Sequence, residues 1–169
     1  MKKPLHIFLS LLLSISLHSQ SKAELGVAEI ALVVSDIKAS EHFYKDIIGF
    51  VEAGEFNIDQ QFSRETGVAN DQPFTIRMLK QSDLPSATIL KLVFFKKPAK
   101  QSRLDDINTK TGVNYITFHY DAKGFKKVTQ SIETAGLEKT GWVKRDGFQL
   151  YFIKDPDGLF VEIIGPHDN

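Results

Sequence analysis

Cysteine is absent from the 169-residue sequence. Its absence excludes disulfide bonds, thiol catalysis and a lipid-modified export signal. Neither charge is in excess, because 21 Lys and Arg residues balance 21 Asp and Glu residues, and no basic stripe indicates a nucleic-acid partner. The sequence also lacks a phosphate loop, a dinucleotide-binding glycine fingerprint and the Ser–His–Asp order of hydrolases. The enzyme classes that such short motifs identify are therefore excluded.

Apolar residues form a long run only at the N-terminus. Lys2 and Lys3 precede an apolar stretch from Leu5 to Leu17, and Ser21-Lys22-Ala23 fits the small-residue rule for signal cleavage. The stretch is too short to span a bilayer comfortably. The sequence therefore predicts a signal peptide at residues 1–23, a periplasmic or secreted protein, and no stable membrane span after the signal is removed. A buried N-terminal helix or an uncleaved anchor is the alternative.

The remaining residues, 24–169, predict one domain built from two similar halves, about 27–98 and 112–166. Each half has the pattern of a strand, a helix and three further strands, and a polar segment connects the halves. The predicted strands are 27–34, 50–56, 74–80 and 88–95 in the first half and 113–120, 140–144, 148–153 and 159–164 in the second, and the predicted helices are 37–48 and 123–135.

Two of these strands carry a single carboxylate in an apolar stretch. Glu162 lies in the run Leu159–Ile164, directly after the turn Asp155–Gly158, and Glu29 lies in the first strand. A charged side chain inside an apolar strand is costly unless a cavity or a partner receives it. This pair of strands resembles the glyoxalase, bleomycin-resistance and extradiol-dioxygenase group, the vicinal oxygen chelate superfamily.

The resemblance covers roughly residues 27–166. It implies an α+β fold of paired βαβββ modules whose strands form a curved, cavity-enclosing mixed sheet. Members of the family place four polar side chains at equivalent strand positions, and the metal-dependent members have His, Gln or Glu ligands there. Carried over to this sequence, the four positions are Glu29, Lys91, Tyr115 and Glu162. Lys91 stands where Glu is usual, and Tyr115 stands where His is usual.

These two replacements argue against a divalent metal at the site. An ammonium at a ligand position repels a cation, and a phenol with an ordinary pKa of about 10 is a poor ligand at neutral pH. We therefore expect no metal and no cofactor. A buried charge network, in which Lys91 neutralises Glu29 and Glu162, would stabilise the carboxylates without a metal. Such a network could simply stabilise the fold in place of a metal, and the residues fit this structural role at least as well as a catalytic role.

Two functions from different classes fit these residues. An exported binding protein would hold a small apolar or anionic ligand in the cavity, and the loss of two ligand positions favours it. A metal-independent lyase or isomerase of the glyoxalase-like class would use Glu29 or Glu162 as the catalytic general base, with Lys91 or Tyr115 steadying an oxyanion. Strand alternation places Lys91, Tyr115, Thr117 and His119 on the mixed strand faces that should line the cavity, and we expect them to be the substrate-binding side chains. A satisfied hydrogen-bonding role is the alternative for His119.

Residues 57–70 predict a short helix that ends at Gly67. This segment is either a surface decoration or a lid that uses Phe56 and Phe62 as apolar contacts. Arg77 either meets an anionic substrate or lies on an exposed strand face.

The aromatic residues Trp142, Phe148 and Tyr151 either line the cavity or belong to the core. The expected partners are a small-molecule ligand and a second copy of the chain. The homodimer is implied by the resemblance, and the open edges of a sheet also need cover.

Overall fold

Each half of the chain folds as a strand, a helix and three further strands in the computed structural model, which describes residues 28–98 and 103–167. The predicted signal peptide lies outside the described residues. The first half contains β1 (Glu29–Val33), α1 (Ile37–Glu41) with a π-helical extension (His42–Ile47), β2 (Val51–Ile58), α2 (Gln60–Thr66), β3 (Phe74–Lys80) and β4 (Ile89–Phe95). The second half contains β5 (Tyr115–His119), α3 (Ala122–Thr134), β6 (Val143–Arg145), β7 (Phe148–Lys154) and β8 (Phe160–Gly165).

The strands form two four-stranded mixed sheets, one in each half. Sheet 1 has the order β1-β4-β3-β2 and sheet 2 the order β5-β8-β7-β6. The pairs β1–β4 and β5–β8 are parallel, and the remaining pairs are antiparallel. The predicted α+β fold of paired βαβββ modules is therefore confirmed. Among the described residues no ladder joins the two sheets, so they do not make one continuous sheet.

One face of each sheet packs on the helices, and the centre of this helix face is apolar. Leu90 and Leu92 of β4 are buried on it, as is Ile163 of β8. The helices contribute Phe43 and Phe125, and the side chains of both halves merge into one hydrophobic core. Removing this apolar surface from water is the main stabilising term of the fold. The opposite side of each sheet, which we call the open face, is left more accessible.

Buried hydrogen bonds tie the halves together near the turn Asp155–Gly158. The Tyr44 hydroxyl donates to Asp155 Oδ2 at 2.8 Å, and both residues are buried. Asp155 Oδ1 also accepts the backbone N–H of Leu159 at 2.8 Å. The carboxylate of Asp157 accepts the backbone N–H of Ser35 at 3.1 Å. Burial raises the pKa of the Asp155 carboxyl above its usual range, and the Tyr44 hydrogen bond opposes that shift.

The segment 57–70 contains α2, which begins after Asp59 and ends at Gly67 as predicted. The side chain of Asp59 accepts the N–H of Phe62 at 2.8 Å, and Gly67 has a φ of 69°, which glycine adopts without strain. Phe56 and Phe62 are 54% and 52% exposed, so about half of each residue is accessible to solvent and neither is closed over a cavity. This exposure favours the surface decoration over the lid. Within the described residues, no helix is long and apolar enough to cross a membrane.

Candidate functional site

The strand register places the four carried-over residues at equivalent positions of the two halves. In sheet 1, Glu29 is the register partner of Ile89, and Lys91 is the partner of Ala31, two residues further along both strands. In sheet 2, Tyr115 pairs with Phe160 and Glu162 pairs with Thr117, again two residues along. Glu29 therefore corresponds to Tyr115, and Lys91 corresponds to Glu162. All four lie on the open faces, because they alternate with the buried residues of the helix face.

On sheet 1 the ammonium of Lys91 forms an ion pair with the carboxylate of Glu29. The two side chains are 30% and 35% exposed, respectively. Solvent screens a pair at this level of exposure, so its contribution to stability is about 0–1 kcal/mol rather than the larger value of a buried pair. The expectation of a buried network is therefore wrong for this half of the site.

On sheet 2 the carboxylate of Glu162 has a hydroxyl as its partner. Thr117 Oγ1 donates to Glu162 Oε2 at 2.6 Å, as their direct register pairing allows. Among residues 28–98 and 103–167 no ion pair joins Lys91 to Glu162. The predicted three-membered network is thus replaced by two separate pairs, one on each open face. The reason is that the two sheets are separate, which strand parity alone does not reveal.

The two remaining predicted binding residues lie on the open face of sheet 2. Tyr115 is 46% exposed, and its ring is edge-on to that of Phe152, with 5.7 Å between the ring centroids. His119 is exposed at the end of β5. Tyr115, Thr117, His119 and Glu162 therefore share one face, whereas Lys91 and Glu29 share the corresponding face of the other sheet. Each open face therefore combines polar groups with apolar surface.

The sequence matches the model of the Glyoxalase/Bleomycin resistance protein/Dioxygenase superfamily over residues 26–163. The chain belongs to this superfamily. No curated protein matches the sequence significantly.

Solved structures of superfamily members share the fold. A glyoxalase family protein from Bacillus cereus superposes with a TM-score of 0.70 at 18% identity, covering 88% of this chain and 99% of that one. The trypanothione-dependent glyoxalase I of Leishmania major gives 0.58 at 17% identity, covering 84% and 87%. A fosfomycin resistance protein from Listeria monocytogenes, solved with Mn(II) and sulfate, gives 0.53 at 16% identity, covering 83% and 91%. At these identities the likeness establishes the fold alone.

The residues at the four positions do not fit a divalent metal. The ammonium of Lys91 occupies one of them and holds Glu29, which is one of the two carboxylates that could otherwise bind an ion. Within the described part of the chain, no three His, Cys, Asp or Glu side chains lie close enough together to hold a metal ion. A superfamily member with this donor set has too few anionic or imidazole ligands for a tight divalent site.

Arg77 lies on the helix face and not on an open face. Its guanidinium donates to Glu55 Oε2 at 2.5 Å and also pairs with Glu41 of α1. These carboxylates raise the pKa of the guanidinium, with the hydrogen bond to Glu55 as the largest cause. The arrangement links α1 to β2 and β3. Arg77 is therefore neither the substrate contact nor the freely exposed residue that the sequence suggested.

The three aromatic residues of the second half separate into different environments. Tyr151 is buried on the helix face, where its hydroxyl and that of Thr129 are 2.8 Å apart, so it belongs to the core. Trp142 packs against Tyr151 with 5.3 Å between ring centroids and lies on the same side, away from the open face. Phe148 is partly exposed and alternates with the residues of the helix face. Of these three aromatic residues, only Phe148 is placed to contact a ligand on the open face.

Proposed function

We propose that this superfamily member binds a small molecule at its open faces without a divalent metal. The observation that carries the proposal is the ion pair between Lys91 and Glu29 at positions where metal-dependent members have ligands. A cation is already present as part of the protein at this position. Binding a second, divalent cation there would require Lys91 to move or to lose its proton.

Binding without chemistry is the function that these contacts favour. Glu29 is engaged by Lys91, and Glu162 accepts the Thr117 hydroxyl. A general base must reach the proton it removes, so a substrate would first have to displace one of these partners. The lyase or isomerase hypothesis is therefore the second choice. A small apolar or anionic ligand suits the open faces, because they offer the Tyr115 ring and the Lys91 ammonium.

The proposed protein acts in an exported compartment, periplasmic or extracellular. This part of the proposal is supported by the basic N-terminus, the apolar stretch and the small residues at Ser21 and Ala23. N-terminal sequencing of protein from the native host should give a chain that begins at Glu24. A chain beginning at Met1, or one that fractionates with membranes, would contradict export of a processed protein.

A homodimer is also part of the proposal. Val33 and Tyr115 are 53% and 46% exposed on the first strand of each sheet, and these strands are sheet edges. A second copy packed on these surfaces would cover apolar side chains and edge hydrogen-bonding groups, and would enclose the open faces. Light scattering should give twice the chain mass at micromolar concentration. A concentration-independent monomer mass would exclude the dimer.

The test of metal-free binding is an amide NMR screen of the isotope-labelled protein in excess EDTA. Small aromatic, aliphatic and anionic compounds are added in turn. We expect saturable shifts at Lys91, Thr117 or Glu162 for at least one class of compound, unchanged when EDTA is replaced by the diamagnetic ion Zn²⁺. Binding that appears only after Zn²⁺ is added would contradict the proposal. The Thr117→Val variant removes the hydroxyl next to Glu162. It should weaken the binding of a ligand that contacts sheet 2 and leave the binding of a ligand that contacts sheet 1 unchanged.

A further inference from the structure

A second potential ligand site lies on the helix side of sheet 2, away from both open faces. It is a groove of about 660 Å³ between α3 and a wall that contains Trp142 just before β6, Gln149 of β7 and Pro166 just after β8. One helical stripe of α3 forms one wall, and Trp142 and Gln149 form the other. A groove of this volume is within the usual range of small-molecule sites.

The aromatic part of the groove is held in a fixed orientation. Trp142 is 42% exposed, and its ring packs edge-on to Phe125 with 6.3 Å between centroids. Trp142 Nε1 donates to Gln149 Oε1 at 3.2 Å, and Gln149 Nε2 donates to the Pro166 carbonyl at 2.8 Å. The indole N–H is therefore satisfied within the protein. Its ring offers apolar surface, and a ligand need not pair with a polar group there.

Cations surround this aromatic surface. The ammonium groups of Lys139 and Lys144 lie 4.9 and 5.1 Å from the centre of the Trp142 ring, within cation–π distance. Lys126 lines the groove, and Glu133, also in the lining, is neutralised by Lys139 at 2.5 Å.

The wider surroundings are basic as well. Residues 122–145 contain six Lys and Arg residues but only two acidic residues, in a chain that is neutral overall. This excess of basic residues along the segment favours the approach of an anion to the groove.

We propose that the groove binds small planar aromatic anions, such as aromatic carboxylates. The ring of the ligand would lie against Trp142, and its carboxylate would be neutralised by Lys144 and Lys126. This combination of a fixed aromatic surface and cations close to it recognises a flat anion better than either feature alone. The site is independent of the open faces and of their function.

The test is a titration of the isotope-labelled protein with 1-naphthoate, and with the uncharged 1-naphthamide as the matched control. Trp142 is the only tryptophan of the chain, so its indole N–H gives a single NMR signal. We expect a saturable shift of this signal and of the Gln149 side-chain amide. The affinity for 1-naphthoate should exceed that for 1-naphthamide by about fivefold or more, and should fall as the salt concentration rises. Equal affinity for the two compounds, or shifts confined to Thr117 and Glu162, would overturn the proposal.

A lysine variant tests the role of charge independently of folding. Lys144→Gln should weaken 1-naphthoate binding by about threefold or more, since it removes one cation near the ring. Lys38→Gln, at an exposed position of α1 in the other half, should leave the affinity unchanged. Amide spectra of both variants should match that of the native protein outside the substituted residue. An unchanged affinity in Lys144→Gln, or equal losses in both variants, would also overturn the proposal.

Discussion

The buried hydrogen bond between Tyr44 and Asp155 should be a measurable part of the coupling between the two halves. Tyr44→Phe removes only the hydroxyl, which donates to Asp155 Oδ2 at 2.8 Å. A hydrogen bond to a charged acceptor contributes about 1.5–3 kcal/mol, so we expect the free energy of unfolding to fall by about 2 kcal/mol near pH 7. Asp155 would keep its backbone donors, Asp157 and Leu159, which limits the loss. Urea denaturation followed by circular dichroism measures this fall in the free energy of unfolding.

The loss should depend on pH in a defined direction. Burial raises the pKa of Asp155 in the folded protein, so the folded state binds more protons than the unfolded state at pH values between the ordinary and the raised pKa. In that range the native protein gains stability as the pH falls. Tyr44→Phe removes a hydrogen bond that lowers the pKa of Asp155, so the variant should gain more stability than the native protein as the pH falls. The difference between variant and native protein should therefore shrink between about pH 7 and pH 4.

Tyr120→Phe is the matched control for this experiment. The Tyr120 hydroxyl donates to the Ile48 carbonyl at 2.8 Å, so it also joins the two halves, but its acceptor does not titrate. We expect a loss of about 1 kcal/mol that is independent of pH over the same range. A Tyr44→Phe protein as stable as the native one near pH 7 would refute the reasoning. Identical pH dependences for the two variants would refute the role assigned to Asp155.

Two further substitutions test other parts of the structure. Gly165→Ala places a Cβ in steric conflict with the ring of Phe125, so thermal denaturation should show a loss of about 1–3 kcal/mol in the free energy of unfolding, and no loss would mean that the ring lies elsewhere. Lys91→Met should cost no more than about 1 kcal/mol in the urea assay, because its ion pair with Glu29 is partly exposed. A loss of several kcal/mol would show that the pair is buried in solution.

The strands and their faces could be predicted from the sequence because alternation is a local property. Leu90 and Leu92 flank Lys91 in a short apolar run, and this pattern correctly predicted which side chains face away from the helices. The π-helical extension of α1 was not predicted. It continues the helix without a break, and the apolar spacing of Phe43, Tyr44 and Ile47 is also compatible with an ordinary α-helix.

The partners of the polar side chains could not be predicted in the same way. Alternation indicates which face a side chain occupies but not which side chain lies opposite. We therefore predicted an ion pair between Glu162 and Lys91, whereas the hydrogen-bond partner of Glu162 is Thr117. The sequence indicated only a turn residue at Asp155, because the turn Asp155–Gly158 is a local pattern. The contact of Asp155 with Tyr44 spans 111 residues and leaves no local signal. The exposure of Trp142 could not be predicted either, because it depends on how α3 packs beside Gln149 of β7.

The metal content of the native protein tests the central claim most directly. The purified protein is equilibrated with Mn²⁺, Ni²⁺ and Zn²⁺ in turn, passed through a desalting column and examined by elemental analysis. Because Lys91 is paired with Glu29 at a ligand position, we predict far less than one equivalent of each metal. Close to one equivalent of a tightly bound metal on the native chain would contradict metal-free binding.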